Sequence, residues 1–351
     1  QDPLGAGESS SVPGTAAIAN AIFDATGVRF RNPPFTPEVV RAAINPLSSP
    51  ATATPQAEQV TPVVPRFKQP GLLNVWGWKP LSGVLFATLA VGAAVLGWRS
   101  ALPRITPVSA SFSEAQLQRG AQLAALGNCV SCHTAEQGAT LAGGKAFATP
   151  YGTVYSTNLS PDPETGMGAW SYQAFARAMR EGISQDGHAL YPVFPFTSFA
   201  RLGDEDMTAL YAWLMSQTPV VHTTPVADMW GGVNFRPLLS VWNAVFHQDR
   251  QERYDSRQTA QWNRGEYLVN GVAHCGACHT PRNFMGAEQK NTAYMQGAFV
   301  DAWQAPALTS FNHSPMPWRA QDFFNYLRIG FTGFHGTASG PMAKATGSNW
   351  G

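Results

Sequence analysis

Cys129-Val130-Ser131-Cys132-His133 and Cys275-Gly276-Ala277-Cys278-His279 are two copies of one five-residue pattern, and together they hold all four cysteines of the chain. The spacing has a chemical reason. Two thiols on one helical turn reach the two vinyl groups of a haem and form thioethers, and the next imidazole lies beneath the iron as proximal ligand. Zinc sites built from Cys-x-x-Cys pairs place the pairs roughly 15 to 20 residues apart, whereas 142 residues separate Cys132 from Cys275. A thioredoxin-like pair gives no reason for a histidine after both motifs. The pattern predicts two covalently bound haem c groups, attached at Cys129, Cys132, Cys275 and Cys278, with His133 and His279 on the iron.

Outward from the motifs the sequence repeats. Trp170 lies 37 residues after His133 and Trp318 lies 39 after His279. Arg180 and Arg328 follow the same histidines by 47 and 49 residues, and Gly182 and Gly330 by 49 and 51. One constant offset aligns all three pairs. Each repeat then reads as a small cytochrome c, mainly α: leading helix, haem motif, irregular wrap, middle helix, distal loop. The leading helices are expected in FSEAQLQRGAQLAAL from Phe112 and RQTAQWNRGEYLVNG from Arg257, the first opened by Ser113 and Glu114. The middle helices are expected in SYQAFARAMREG from Ser171 and RAQDFFNYLRIG from Arg319. LGDEDMTALYAWLMSQ supplies an amphipathic closing helix to the first repeat, with Asp204 and Glu205 near its start. Its counterpart in the second repeat would fall near positions 352 to 365. The second repeat is therefore expected to lack its closing helix, and the chain to be part of a longer fused polypeptide.

Composition favours a membrane-linked carrier. Only 13% of residues are charged, against about 25% in ordinary soluble domains. The net charge of +1 gives no footing for nucleic acid. Residues 80–98, PLSGVLFATLAVGAAVLGW, run uncharged for 19 residues, enough to cross roughly 30 Å of hydrocarbon. Trp76, Trp78 and Trp98 stand near the ends, and Lys79 and Arg99 bracket the run. A buried core helix is the alternative. Before the run, AAIANAIFDATG from Ala16 has helical periodicity and a closing glycine, and TPEVVRAAI reads as a second short helix capped by Thr36. From Asn45 to Gly71 the chain is a Pro-, Ala- and Thr-rich tether. The divisions expected are an N-terminal piece 1–44, linker 45–79, transmembrane helix 80–98, first cytochrome domain 109–222, connection 223–256 and second, truncated cytochrome domain 257–351.

Two resemblances add to this reading. GAGESS at Gly5 to Ser10 with AIANAIFDATGVRFRNPPFTPEVVRAAI resembles the C-terminal end of molybdenum hydroxylase large subunits of the isoquinoline 1-oxidoreductase type. It covers about 40 residues and places that family's general base on Glu8, with the rest of the molybdopterin pocket absent. LAGGKAFATPYGTVYSTNLSPDPETGMGAW from Leu141, HALYPVFPF from His188, HCGACHTPRNFMGAE from His274 and HGTASGPM ending at Met342 resemble the multihaem cytochrome c subunits of membrane alcohol and aldehyde dehydrogenases. They also resemble the cytochrome extension of nicotinate dehydrogenase. This second resemblance covers roughly Ser109 to Gly351. It implies Met342 as the distal ligand of the second haem, 63 residues after His279. The register places Phe194 at the matching point of the first repeat, and phenylalanine cannot ligate iron. His188 is the first candidate there, an open or water-filled site the next, while Met179 and Met207 sit in helical patterns that suit core packing.

The function implied is electron transfer from a molybdenum and iron–sulfur dehydrogenase to the respiratory chain. The partners would be the dehydrogenase's molybdenum domain and iron–sulfur subunit, the bacterial inner membrane, and a quinone, oxidase or soluble cytochrome downstream. Molybdopterin would belong only to the parent complex. The cytochrome domains are expected in the periplasm and the N-terminal segment in the cytoplasm. A dihaem peroxidase using an open first haem is the alternative.

Overall fold

The computed structural model describes residues 19–30, 40, 41, 43, 92, 99–106, 112–230, 234, 236–247, 254–301, 303–309, 314 and 316–346. Two compact units divide the chain at Asn74 and Val75. In the first, residues 19–26 are helical and end on Gly27 at φ +70°. That is the C-terminal glycine the periodicity asks for, in the left-handed conformation that a side chain would strain. Residues 40, 41 and 43 are helical as well, within TPEVVRAAI. Glu8, Thr36, the tether and the stretch 80–98 apart from Gly92 lie outside the described residues. Among the described residues no helix is long and apolar enough to cross a membrane.

The larger unit carries both repeats. Its first helix, α1 (Glu114–Leu126), starts on a reciprocal cap: the Gln116 backbone N–H donates to the Ser113 hydroxyl, and the Ser113 N–H to Gln116 Oε1. Two of the helix's orphan donors are thereby satisfied. The first cysteine motif forms the single turn α2 (Cys129–Cys132). Where an irregular wrap was expected, AFATPYGTVY folds into the hairpin β1 (Ala146–Thr149) and β2 (Gly152–Tyr155). Asp228–Met229, β3, adds a third antiparallel strand against Gly152 and Thr153. At Gly152 a Cβ would stand 2.2 Å from the Asp228 carbonyl oxygen, so only glycine admits that strand.

The middle helix α3 (Tyr172–Glu181) is capped by Ser171 and stops at Gly182, φ +65°. A short turn, α4 (Phe196–Phe199), leads to the closing helix α5 (Asp204–Met215), whose first turn carries Asp204, Glu205 and Asp206. Carboxylates there face the positive end of the helix dipole. α1 and α5 cross so closely that a Cβ on Gly120 would lie 2.1 Å from the Ala209 carbonyl oxygen. Leu123, Leu141, Phe175, Met179, Phe199, Met207, Leu210 and Leu214 fill the core between these helices, with Cys129 and Val130 packed against it. Met179 and Met207 are thus buried core residues.

The connection between the repeats holds a helix that sequence periodicity did not single out, α6 (Leu238–Phe246). Trp242 from α6 packs edge-on against Phe196, and its indole N–H donates to the Met285 carbonyl of the second repeat. That repeat follows the same order: α7 (Ala260–Asn270) capped by Thr259, the motif turn α8 (Gly276–His279), hairpin β4 (Ala298–Val300) and β5 (Trp303–Ala305), then α9 (Ala320–Ile329) ending on Gly330 at φ +70°. The strand pair β6 (Phe331–Thr332) and β7 (Gly336–Thr337) and the helix α10 (Gly340–Ala345) complete the described chain.

Candidate functional site

Both cysteine pairs sit on a single helical turn, and all four thiols are free of disulfides. The residue before each motif holds a left-handed backbone, Asn128 at φ +53° and His274 at φ +38°. Each lies between the end of the leading helix and the motif turn, which starts in a new direction. Asparagine tolerates the conformation because its short polar side chain can bond locally. Histidine gives no comparable signal, yet its ring Nδ1 lies 2.9 Å from the Val272 carbonyl oxygen.

The histidines are oriented in the same way. His133 Nδ1 lies 2.7 Å from the Thr157 carbonyl oxygen, and His279 Nδ1 lies 2.8 Å from that of Pro306. A carbonyl only accepts, so Nδ1 carries the proton in both rings and Nε2 keeps its lone pair for a metal. Burial holds both imidazoles in the neutral form, lowering His133 to about 4 and lowering His279 as well. It also pushes the Cys129 thiol up to about 12.

The loop that follows each motif is built on matching bonds. The threonines after the two histidines, Thr134 and Thr280, each accept a backbone N–H at 3.1 Å, from Leu141 and Met295. Those two residues share a left-handed backbone, at φ +62° and +56°. Gly143 and Gly297 donate to the carbonyls of His133 and His279 at 2.7 and 2.8 Å. On the distal side, Leu190 donates to the Gly182 carbonyl and Ala338 to that of Gly330, both at 2.7 Å. Four residues beyond each of these donors stand Phe194 and Met342, so the backbone pairs those positions as the sequence repeat does. Phe194 packs tilted against Phe196 and Phe199, 6.3 and 5.5 Å between ring centroids. Met342 lies half-buried on α10. His188 is exposed on its loop, its Nδ1 2.5 Å from Asp186 Oδ1.

The donor set fits a haem c. At each motif two thiols would reach one edge of the macrocycle and one imidazole offers Nε2. Among the described residues no cluster of histidine, cysteine and carboxylates could hold another metal. Three features escaped the sequence reading: the paired carbonyls of Thr157 and Pro306, the left-handed residue before each motif, and α6. The first could have been found by aligning the stretches between motif and tryptophan. The helix α6 depends on contacts distant in sequence.

Known proteins resemble this chain in sequence. The cytochrome c family matches residues 117–218. The chain is 51% identical over 344 residues to a nicotinate dehydrogenase subunit from Pseudomonas putida, covering 97% of this chain and 28% of that protein. It is 38% identical over 272 residues to the fructose dehydrogenase cytochrome subunit of Gluconobacter japonicus, covering 76% of this chain and 55% of the relative. With the "Diheme cytochrome c-type" protein of Cereibacter sphaeroides it shares 31% identity over 270 residues, 76% of this chain and 90% of that one. It thus spans just over a quarter of the first relative and about half of the second. By fold, attachment motifs and kinship, the chain belongs to the cytochrome c family, whose members carry covalently bound haem c, and is a homologue of the cytochrome c subunits of dehydrogenases.

Proposed function

We propose that the chain is a membrane-anchored dihaem module that carries electrons from a molybdenum and iron–sulfur dehydrogenase towards the respiratory chain. One observation carries the reading: both motifs present the same proximal arrangement, an imidazole whose Nδ1 is committed to a backbone carbonyl and whose Nε2 is free. A bound haem would supply a one-electron redox centre at each site. The chain's residues attach it through Cys129 and Cys132 or Cys275 and Cys278, hold His133 or His279 in one tautomer, and offer the Met342 thioether at the second site. With Met342 as its distal ligand a haem there would be favoured in the reduced state, and the second site would be the electron sink of the pair.

The dehydrogenase partner rests on the match to the Pseudomonas putida nicotinate dehydrogenase protein along 97% of the chain. It rests also on the GAGESS stretch, where Glu8 would act only within a complete molybdenum pocket. The membrane anchor rests on the uncharged run 80–98. With that run as the anchor, the cytochrome domains lie in the periplasm and the N-terminal segment in the cytoplasm. Phe194 at the first distal position keeps one alternative, a dihaem peroxidase, and peroxide turnover by the purified holoprotein would reveal it. Intact mass after export tests the main reading: the expected mass is that of the polypeptide plus two haems, and Cys278→Ala should lose one of them. A mass without haem would refute it. Reporter fusions after Thr54 and Gln217 should report opposite sides of the membrane.

A further inference from the structure

Asp206, in the first turn of α5, is 3% exposed and joins the leading helices of both repeats. Arg119 of α1 pairs with its Oδ1, and Arg264 of α7 lies 4.0 Å from its Oδ2. Tyr267 of α7, 2% exposed, donates its hydroxyl proton to Oδ2 at 2.6 Å. The same hydroxyl accepts the Gly203 N–H at 3.3 Å. Each arginine precedes the glycine of its own leading helix, Gly120 and Gly265. One carboxylate thus gathers the matching arginines of two repeats, and Arg201 with Glu266 at 3.0 Å adds a second pair across them.

Just beyond these contacts, α7 runs directly into the second haem motif. Val272, fully buried, belongs to the first repeat's core. A Cβ on Gly127 would touch both its Cγ2 and the Cys129 sulfur at 3.6 Å. The His274 ring lies 5.4 Å from that of Phe199. Val272 is three residues from Cys275, at most about 11 Å of chain. The attachment segment of the second repeat is therefore anchored in the wall of the first.

We propose that Asp206 and Tyr267 are positioning residues: their buried bond between the repeats, with Val272, locks the two haem-attachment segments into one rigid body and so fixes the two haems relative to each other. The inference rests on the two-haem reading above. Its physical basis is the cost of separating the repeats. Opening them would take the Tyr267 hydroxyl and Arg264 away from Asp206, leaving that carboxylate only Arg119 of its own repeat, and hydrogen bonds to charged groups are the expensive ones to lose.

Circular dichroism in the Soret region, read alongside intact mass, tests it. Two haems held at a fixed short separation couple their transitions and give a bisignate couplet, which a flexible pair averages away. The exported holoprotein should show the couplet, and Cys278→Ala should abolish it. Tyr267→Phe removes only the phenol hydroxyl and leaves both arginines on Asp206. It should lose couplet amplitude while keeping two haems by mass. Asp206→Asn should lose more; if that variant fails to load haem, Tyr267→Phe decides alone. Two haems by mass with no couplet, or a couplet unchanged in Tyr267→Phe, would overturn the rigid pair and leave the dihaem reading intact. A mass with fewer than two haems in the natural sequence would overturn the dihaem reading itself.

Discussion

The same substitution should act with opposite sign in the two repeats. Gly120 and Gly265 each follow an arginine in a leading helix, but their surroundings differ. A Cβ at Gly120 meets the Ala209 carbonyl oxygen at 2.1 Å and Trp213 Cβ at 2.5 Å, well inside ordinary contact. The nearest obstacle is backbone, so it cannot swing aside, and α1 and α5 would have to part. Overpacking of this kind costs about 1–3 kcal/mol, and this geometry belongs at or above the upper end. Alanine returns about 1 kcal/mol through its better helix propensity. The net loss for Gly120→Ala is about 2 kcal/mol, a fall in Tm of about 4–8 °C for a domain of this size. Gly265 has nothing within 4 Å among the described residues. Gly265→Ala should keep the whole propensity gain and raise Tm by about 2–4 °C. Thermal unfolding of the holoprotein, followed by far-ultraviolet circular dichroism with haem content checked by absorbance, measures both. Shifts in the same direction would refute the claim that the α1–α5 crossing, rather than the glycine itself, sets the requirement.

Met342→Ala should lower the potential of the second haem and remove the weak charge-transfer band of iron–thioether bonding, as spectroelectrochemistry would record; an unchanged spectrum would exclude Met342 as a ligand. Phe194→Met should add such a band at the first haem, because the matching Gly182 and Gly330 bonds start both distal loops alike, four residues before Phe194 and Met342. Its absence would mean that the repeat register fails locally or that another group, such as His188, already holds that iron. Glu288 bears on pH. Burial raises its pKa, against a weaker opposing pull from Arg282, and its Oε2 would lie 2.8 Å from a Cβ on Gly276. A carboxyl raised on folding binds its proton more tightly in the folded state, so it costs stability as pH rises above the unfolded value of about 4.5. Urea midpoints at pH 4.5 and pH 7 should show Glu288→Gln losing less stability over that interval than the natural chain does.

The haem sites were legible because covalent attachment leaves no freedom of spacing. A cysteine pair on one turn with a histidine beside it is fixed by the macrocycle, and Gly182 and Gly330 are fixed by the left-handed stop of a helix. The leading and middle helices followed from periodicity and from caps such as Ser113, Ser171 and Thr259. The three-stranded sheet was not legible. β3 is two residues long and pairs with a strand some 75 positions earlier, so nothing local marks it. The same holds for Tyr267 and Asp206, 61 residues apart. In the sequence one is an aromatic residue in an amphipathic helix and the other the third acid of an acidic turn. Only folding brings them into one hydrogen bond.

The acceptors of His133 and His279 are main-chain oxygens, those of Thr157 and Pro306. Replacing either residue changes a side chain but leaves its carbonyl in place. The electron-donating power of both imidazoles is therefore sheltered from point mutation. A distal ligand supplied by a side chain, as proposed for Met342, would have no such shelter. There these two repeats have in fact diverged, Met342 in one and Phe194 in the other. A chain built this way can duplicate a redox centre and retune one copy without putting the anchoring half of either at risk.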